Sequence, residues 1–148
     1  MLPPHLRVDF KLAEKVISEF IKEVVDLAGA DGVVIGLSGG GDSAVAAALA
    51  AKALSASKVR VVFMPDVESD KLSELIAHKV ADRLGLSLKT LEITDIVNCY
   101  LDKVGLDYIS APKIAKGNVK VRTRMTLLYL IANLENRPVS YTHLRAHE

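Results

Sequence analysis

The sequence predicts a three-layer α/β/α fold built on a parallel sheet. Three observations carry that prediction. Short apolar runs such as Val33-Val34-Ile35 and Val59-Arg60-Val61-Val62-Phe63 are near-continuous, as in strands buried on both faces. Segments with apolar residues at helical spacing separate them, which indicates parallel strands joined by right-handed crossovers. The first run passes through glycines directly into an alanine-rich helix, and ligands of open α/β sheets sit at such a strand end.

The elements follow in order. Asp9 caps a first helix that runs to about Ala28. Its Ala13, Val16, Ile17, Phe20, Ile21, Val24 and Leu27 form one apolar stripe, and Gly29 stops it. Residues 33–37 form the first strand. The helix at 43–54 is nearly all alanine on one face, which allows close packing on a sheet. Residues 58–64 form the second strand, ended by Pro65. Ser69 or Asp70 opens a helix with Leu72, Leu75, Ile76, Val80 and Leu84 on one face, and Gly85 closes it. Residues 87–93 form a third strand with Leu88, Leu91 and Ile93. Thr94 or Asp95 caps a short helix through Val97, Leu101 and Val104. Residues 105–117 are a loop. A long helix runs from about 118 to 134, and Asn136-Arg137-Pro138 ends it.

Composition excludes several classes. The chain has 148 residues, half of them hydrophobic, enough for one domain with a core. A net charge of +1 argues against a nucleic-acid surface. No apolar run approaches the roughly 20 residues that span a bilayer, so no membrane is expected. Cys99 is alone and fits a reducing compartment. The first seven residues are too short and interrupted for a signal peptide, and the chain reads as cytoplasmic. His5, His78, His143 and His147 show no metal-ligand spacing, and Cys99 reads as a packing residue. The acids Asp66, Glu68 and Asp70 read as a solvated loop.

The stretch Gly36, Leu37, Ser38, Gly39, Gly40, Gly41, Asp42 and Ser43 carries the chemistry. Glycines let the backbone turn tightly and approach a ligand, and the first N–H groups of the following helix face an anion. The stretch nearly fits the Walker pattern, but Asp42 stands where the lysine belongs, which reverses the charge offered to phosphate. The looser dinucleotide fingerprint fits Gly39, Gly41 and Ala44 but explains neither Ser38 nor Asp42. A plain strand–helix turn capped by Asp42 or Ser43 is the bland alternative. Read whole, Ser38-Gly39-Gly40-Gly41-Asp42-Ser43 resembles the SGGxDS loop of the PP-loop ATP pyrophosphatases.

A second segment runs Gly117-Asn118-Val119-Lys120-Val121-Arg122-Thr123-Arg124-Met125-Thr126-Leu127-Leu128-Tyr129. On a helix Asn118, Arg122, Met125 and Tyr129 share a face. Taken alone, Arg122 and Arg124 read as solvated helix arginines. Paired with the first loop, and with Met64-Pro65 after the second strand, the segment resembles the GNxxxRxRMxxLY helix of the ammonia-dependent NAD+ synthetases. The resemblance runs from about Phe10 to Pro138, with residues 1–139 as the N-terminal portion of that domain.

The resemblance implies a truncated adenine nucleotide alpha hydrolase-like fold and a ligase. That family converts deamido-NAD+, ATP and ammonia into NAD+, through attack of the nicotinate carboxylate on the α-phosphorus, loss of pyrophosphate and displacement of AMP. By position, Gly36 to Ser43 would bind ATP, Asp42 would hold Mg²⁺, and Arg122 with Asn118 would bind deamido-NAD+. No side chain would be a nucleophile. A homodimer is implied. The competing readings are another ATP pyrophosphatase, such as a GMP synthetase, and an ATP-binding module without turnover.

Two departures stand out. Asp66-Val67-Glu68-Ser69-Asp70-Lys71 is shorter and more acidic than the family's adenine-shaping segment. The family's following strand with its G-T…E segment is missing, so the portion is expected to be inactive and the first strand to become an exposed edge. Residues 140–148 read as a non-native tail resembling read-through. Val139-Ser140-Tyr141-Thr142 is β-prone and could occupy the open edge, with Val139 and Tyr141 on one face.

Overall fold

The strands β1 (Val33–Gly36), β2 (Val59–Phe63), β3 (Leu88–Thr90) and β4 (Val139–Tyr141) form a sheet in the order β3-β2-β1-β4, all pairs parallel. The computed structural model describes residues 7–141. Around the sheet lie α1 (Phe10–Leu27), α2 (Gly41–Ala53), α3 (Lys71–Leu84), α4 (Thr94–Asp102) and α5 (Lys113–Glu135).

The strand residues sort by alternation. Val33, Ile35, Val59, Val61 and Phe63 face α1, α2 and α3, together with Ala47, Ala50, Ala77 and Ala81. Val34, Val62 and Met64 face α4 and α5, together with Val97, Leu101, Leu128 and Ala132. Apolar residues on both faces explain why these runs do not alternate, and they confirm the expected three layers. Alanines at the closest contacts bring α2 and α3 down onto the sheet.

Local signals mark several helix ends. The Asp9 carboxylate accepts the N–H groups of Lys11 and Leu12 at 3.0 and 3.1 Å. Asp70 accepts the Leu72 N–H at 3.0 Å, and Gly85 closes α3 with φ +66°. Asn136 closes α5 with φ +49°.

Several expectations are corrected. Helix α5 begins at Lys113, so residues 113–117 are helical and Gly117 lies inside the helix. Pro112 supplies the start: it lacks a donor that a first turn could not use, and its carbonyl accepts the Lys116 N–H at 2.9 Å. The third strand is only Leu88–Thr90. Neither Thr94 nor Asp95 caps α4; Ile93 holds that position, and the Thr94 hydroxyl instead accepts the Val67 N–H at 2.8 Å. Cys99 is exposed rather than packed. On α3 the buried residues are Ala77 and Ala81, while Leu72, Leu75 and Ile76 are exposed.

The apolar stripe of α1 is largely turned outward. Val25 is buried and Ile21 packs on the core, but Phe20 is 62% exposed, with Phe10, Val16, Ile17, Val24 and Leu27 also exposed. Helix α1 rests on α2, where Glu14 pairs with Lys52.

Strand β4 covers the other edge of β1. Val34 pairs with Val139 and Ile35 with Tyr141, so two steps of β4 span one of β1 and the ladder is irregular there. The Val34 N–H donates to the Pro138 carbonyl at 3.1 Å. Val139 to Tyr141 thus occupy the expected edge; Thr142 lies outside the described residues.

Candidate functional site

The loop after β1 is shaped by its own short side chains. The Ser38 N–H donates to Ser43 Oγ at 3.2 Å, and the Gly40 N–H donates to Ser38 Oγ at 3.3 Å. Ser43 Oγ donates to the Gly40 carbonyl at 2.9 Å and lies 3.1 Å from Ser38 Oγ. Ser43 is buried, so its hydroxyl serves the loop from inside. Upstream, the Leu37 N–H donates to the Val62 carbonyl at 2.9 Å, which carries strand pairing into the turn.

One glycine is required, and a second is closely packed. Gly39 has φ +80°, and a Cβ there would lie 2.5 Å from the Ser73 carbonyl oxygen of α3. A Cβ on Gly36 would lie 3.1 Å from Leu128 Cδ1 of α5. The loop is therefore wedged between α3 and α5.

The N-terminus of α2 follows at Gly41, Asp42 and Ser43. Gly40 at the cap position gives no side-chain hydrogen bond, so the first N–H groups of α2 remain open at the positive end of the helix dipole. Asp42 is exposed in that first turn, and its carboxylate has no hydrogen bond or ion pair among the described residues. It caps nothing. The described residues contain no group of three or more His, Cys, Asp or Glu side chains suited to a metal.

A cavity of about 350 Å³ opens beside the loop, at the carboxyl ends of β1 and β2. Gly36, Leu37 and Ser38 line one side, Ser69 and Asp70 another, and Arg124 and Met125 the third. Its floor is apolar strand and helix surface at Val62 and Leu128. An apolar floor beside a cluster of open backbone donors suits a flat ring carrying a phosphate chain.

The segment after β2 differs most from the sequence reading. Asp66 is not solvated: it is 8% exposed and gripped by α5. Its Oδ1 lies 3.2 Å from Lys120 Nζ, and its Oδ2 accepts from Arg124 Nη2 at 3.0 Å. Arg124 Nε also donates to the Met64 carbonyl at 2.8 Å. Glu68 accepts from Lys116 and Lys120, each at 2.6 Å, and both ammonium groups lie over the Tyr108 ring. Burial alone would raise the Asp66 carboxyl; the Glu68 N–H and the Lys120 ammonium outweigh it and hold it below the ordinary range. Hydrogen bonds from Lys116 and Lys120 bring Glu68 down to about 2.

Arg122 and Asn118 sit on another face of α5. Arg122 is exposed, Asn118 half-buried, and neither side chain has a hydrogen bond or ion pair among the described residues. They are not among the cavity-lining residues. Met125, which shares their helical face, is one of them. The two arginines of the segment therefore diverge: Arg124 is committed within the fold, and Arg122 faces outward. Sequence reasoning missed Lys116, Lys120 and Asp66. The available signal was Lys116, Lys120 and Arg124 recurring every fourth residue, a basic stripe on one helix face.

Comparisons with known proteins agree with this geometry. The family model described as NAD synthase matches residues 13–147. The NH(3)-dependent NAD(+) synthetase of Hyperthermus butylicus is 43% identical over 141 residues, 93% of this chain and 49% of that protein. The NH3-dependent NAD synthetase structure from Campylobacter jejuni, in complex with the nitrate ion, superposes with a TM-score of 0.81 at 32% identity, over 88% of this chain and 55% of that one. The glutamine-dependent NAD+ synthetase structure from Acinetobacter baumannii, in complex with ADP, has a TM-score of 0.81 at 29% identity, over 93% of this chain and 26% of that one. The chain spans about half the length of the curated relatives it matches. The fold is that of the adenine nucleotide alpha hydrolase-like NAD synthetases.

Proposed function

Because the chain belongs to the NAD synthase family, we propose that it is part of a ligase that amidates deamido-NAD+ to NAD+ with ATP and ammonia. One observation carries the reading. A serine-braced glycine loop leaves a helix N-terminus open to anions, next to an apolar-floored cavity of about 350 Å³. Gly36, Leu37, Ser38, Gly39, Gly40, Gly41, Asp42 and Ser43 are assigned to ATP. The cavity takes the adenosine end and the α2 N-terminus the phosphates.

Arg122 and Asn118 are assigned to deamido-NAD+. An exposed guanidinium without a partner among the described residues keeps its planar fork for a phosphate or carboxylate. No described side chain is assigned as a nucleophile; within the whole ligase these residues would help align the nicotinate carboxylate with the α-phosphorus and offer backbone donors to the departing pyrophosphate. One unpaired carboxylate, Asp42, fits an Mg²⁺ that takes its other ligands from phosphate oxygens and water. Bound there, the ion would offset charge on the triphosphate.

A homodimer in the cytoplasm, without nucleic acid or membrane, completes the proposal. The outward stripe of α1, including Phe20 at 62% exposure, supports a self-association surface. Among the described residues no helix is long and apolar enough to cross a membrane. Because the chain spans about half of its relatives, these residues are expected to bind ATP without turnover.

Isothermal titration with Mg-ATP and then deamido-NAD+, run beside a pyrophosphate-release assay, tests this. Binding of both without release is the expected result. No Mg-ATP binding would overturn the site, and release that depends on deamido-NAD+ would overturn the inactive reading.

A further inference from the structure

Asp66 stands where a loop, a strand end and a helix meet. Its side chain is 4% exposed. On one side it shapes its own turn. Oδ1 accepts the Glu68 N–H at 2.8 Å, its carbonyl accepts the Ser69 N–H at 2.9 Å, and its own N–H donates to Ser69 Oγ at 2.8 Å. On the other side α5 holds it, through Lys120 and Arg124. Arg124 splits its fork between the Asp66 carboxylate and the Met64 carbonyl, which ties the end of β2 to the same point.

The far end of the turn is the cavity wall. Ser69 and Asp70 line the cavity, and Asp70 also caps α3. One turn later the Ser73 backbone abuts Gly39 so closely that no Cβ fits between them. Asp66 is therefore joined to the loop after β1 by the 66–69 turn, the α3 cap and the close Gly39–Ser73 approach. The helix that grips Asp66 also carries Asn118 and Arg122. Burial of apolar side chains could hold these parts together but would not fix direction. A forked donor shared between a carboxylate and a carbonyl does.

We propose that Asp66, clamped by Lys120 and Arg124, is a positioning latch that sets the nucleotide wall relative to α5. It aligns the ATP pocket with the face that presents Arg122, and Asp66 itself is not among the residues that line the cavity. This rests on the nucleotide-site reading above.

Mg-ATP titration of Asp66→Asn, Lys120→Gln and the double variant provides the test, since neither Asp66 nor Lys120 lines the cavity. Asparagine keeps the acceptor for the Glu68 N–H and removes the charge. Each single change is expected to weaken Mg-ATP about tenfold, and the double about as much as either alone, since one latch is broken once. Leu101→Ala, in the buried α4 layer away from the cavity, is the stability control: it lowers Tm and leaves the Mg-ATP Kd unchanged. Hydrogen exchange on the ligand-free chain gives an independent readout. In Lys120→Gln the amides of Glu68 and Ser69 are expected to exchange about tenfold faster, with β1 and β2 still protected. Wild-type Kd in either single variant, additive losses in the double, or unchanged exchange at Glu68 and Ser69 would overturn the latch. Should the unaltered chain bind no Mg-ATP, the nucleotide-site reading falls, and the exchange result alone decides the latch.

Discussion

The two walls of the crevice are held by different forces. The glycine–serine loop after β1 is braced by neutral contacts between residues at most five apart, from Ser38 to Ser43. The wall after β2 is held by charged contacts that reach from 48 to 60 residues along the chain, from Asp66, Glu68 and Met64 to α5. The neutral contacts place no cation beside the open α2 N-terminus, so its N–H groups stay available to an anion. The charged wall is compensated internally, so Lys116 and Lys120 offer little to a ligand. Arg122, outside both networks, keeps its charge available.

The sharpest way to break the local wall is Gly39→Ala. Its φ of +80° and the 2.5 Å approach to Ser73 leave no room for a methyl group. Left-handed strain plus displacement of α3 is expected to cost about 3 kcal/mol of stability and to abolish Mg-ATP binding. Thermal unfolding and titration read the two effects.

Asp66→Ala breaks the distant wall. It leaves Lys120 and Arg124 without their shared acceptor and is expected to destabilise by about 2 kcal/mol, below the range for deeply buried pairs because Arg124 reaches solvent. A loss below about 0.5 kcal/mol in urea unfolding would mean that the wall stands without its charges.

Arg122→Ala sharpens the contrast from the other side. Stability and Mg-ATP affinity should hold, while deamido-NAD+ binding weakens about tenfold, or about 1.4 kcal/mol. Unchanged deamido-NAD+ affinity would remove Arg122 from the site.

Acid gives the smallest effect and separates the walls without mutation. Glu68 is held at about 2 by Lys116 and Lys120, below its ordinary 4.5. Asp66 is also held below its ordinary 3.8. Both are depressed in the folded chain, so their stabilisation is present above those ordinary values and is lost as pH falls through the folded ones. Tm should therefore fall with pH from about 5 toward 2, and Glu68→Gln should flatten the slope. The Ser38–Ser43 contacts contain no carboxylate and should not contribute to it.

The same division explains what was legible in the sequence. Asp9, Asp70, Gly85 and Asn136 announce helix ends because capping is decided within a few residues. The glycine–serine loop was legible for the same reason. Gly117 is a poor marker for the start of α5, because a glycine can also lie inside a helix; Pro112, at the cap, is the residue that precedes the first turn. The latch was not legible as a unit. Asp66 needs partners 54 and 58 residues away, and acids in a loop look solvated until the fold brings α5 beside them. The outward turn of the α1 stripe was hidden differently: periodicity shows that a stripe exists, not which neighbour it meets.

With β4 in place, β1 is paired on both sides and each sheet face has its helices. The most apolar strand of the sheet therefore offers no free backbone ladder to another copy of the chain, and the hazard of edge-to-edge association moves outward to the short strands β3 and β4.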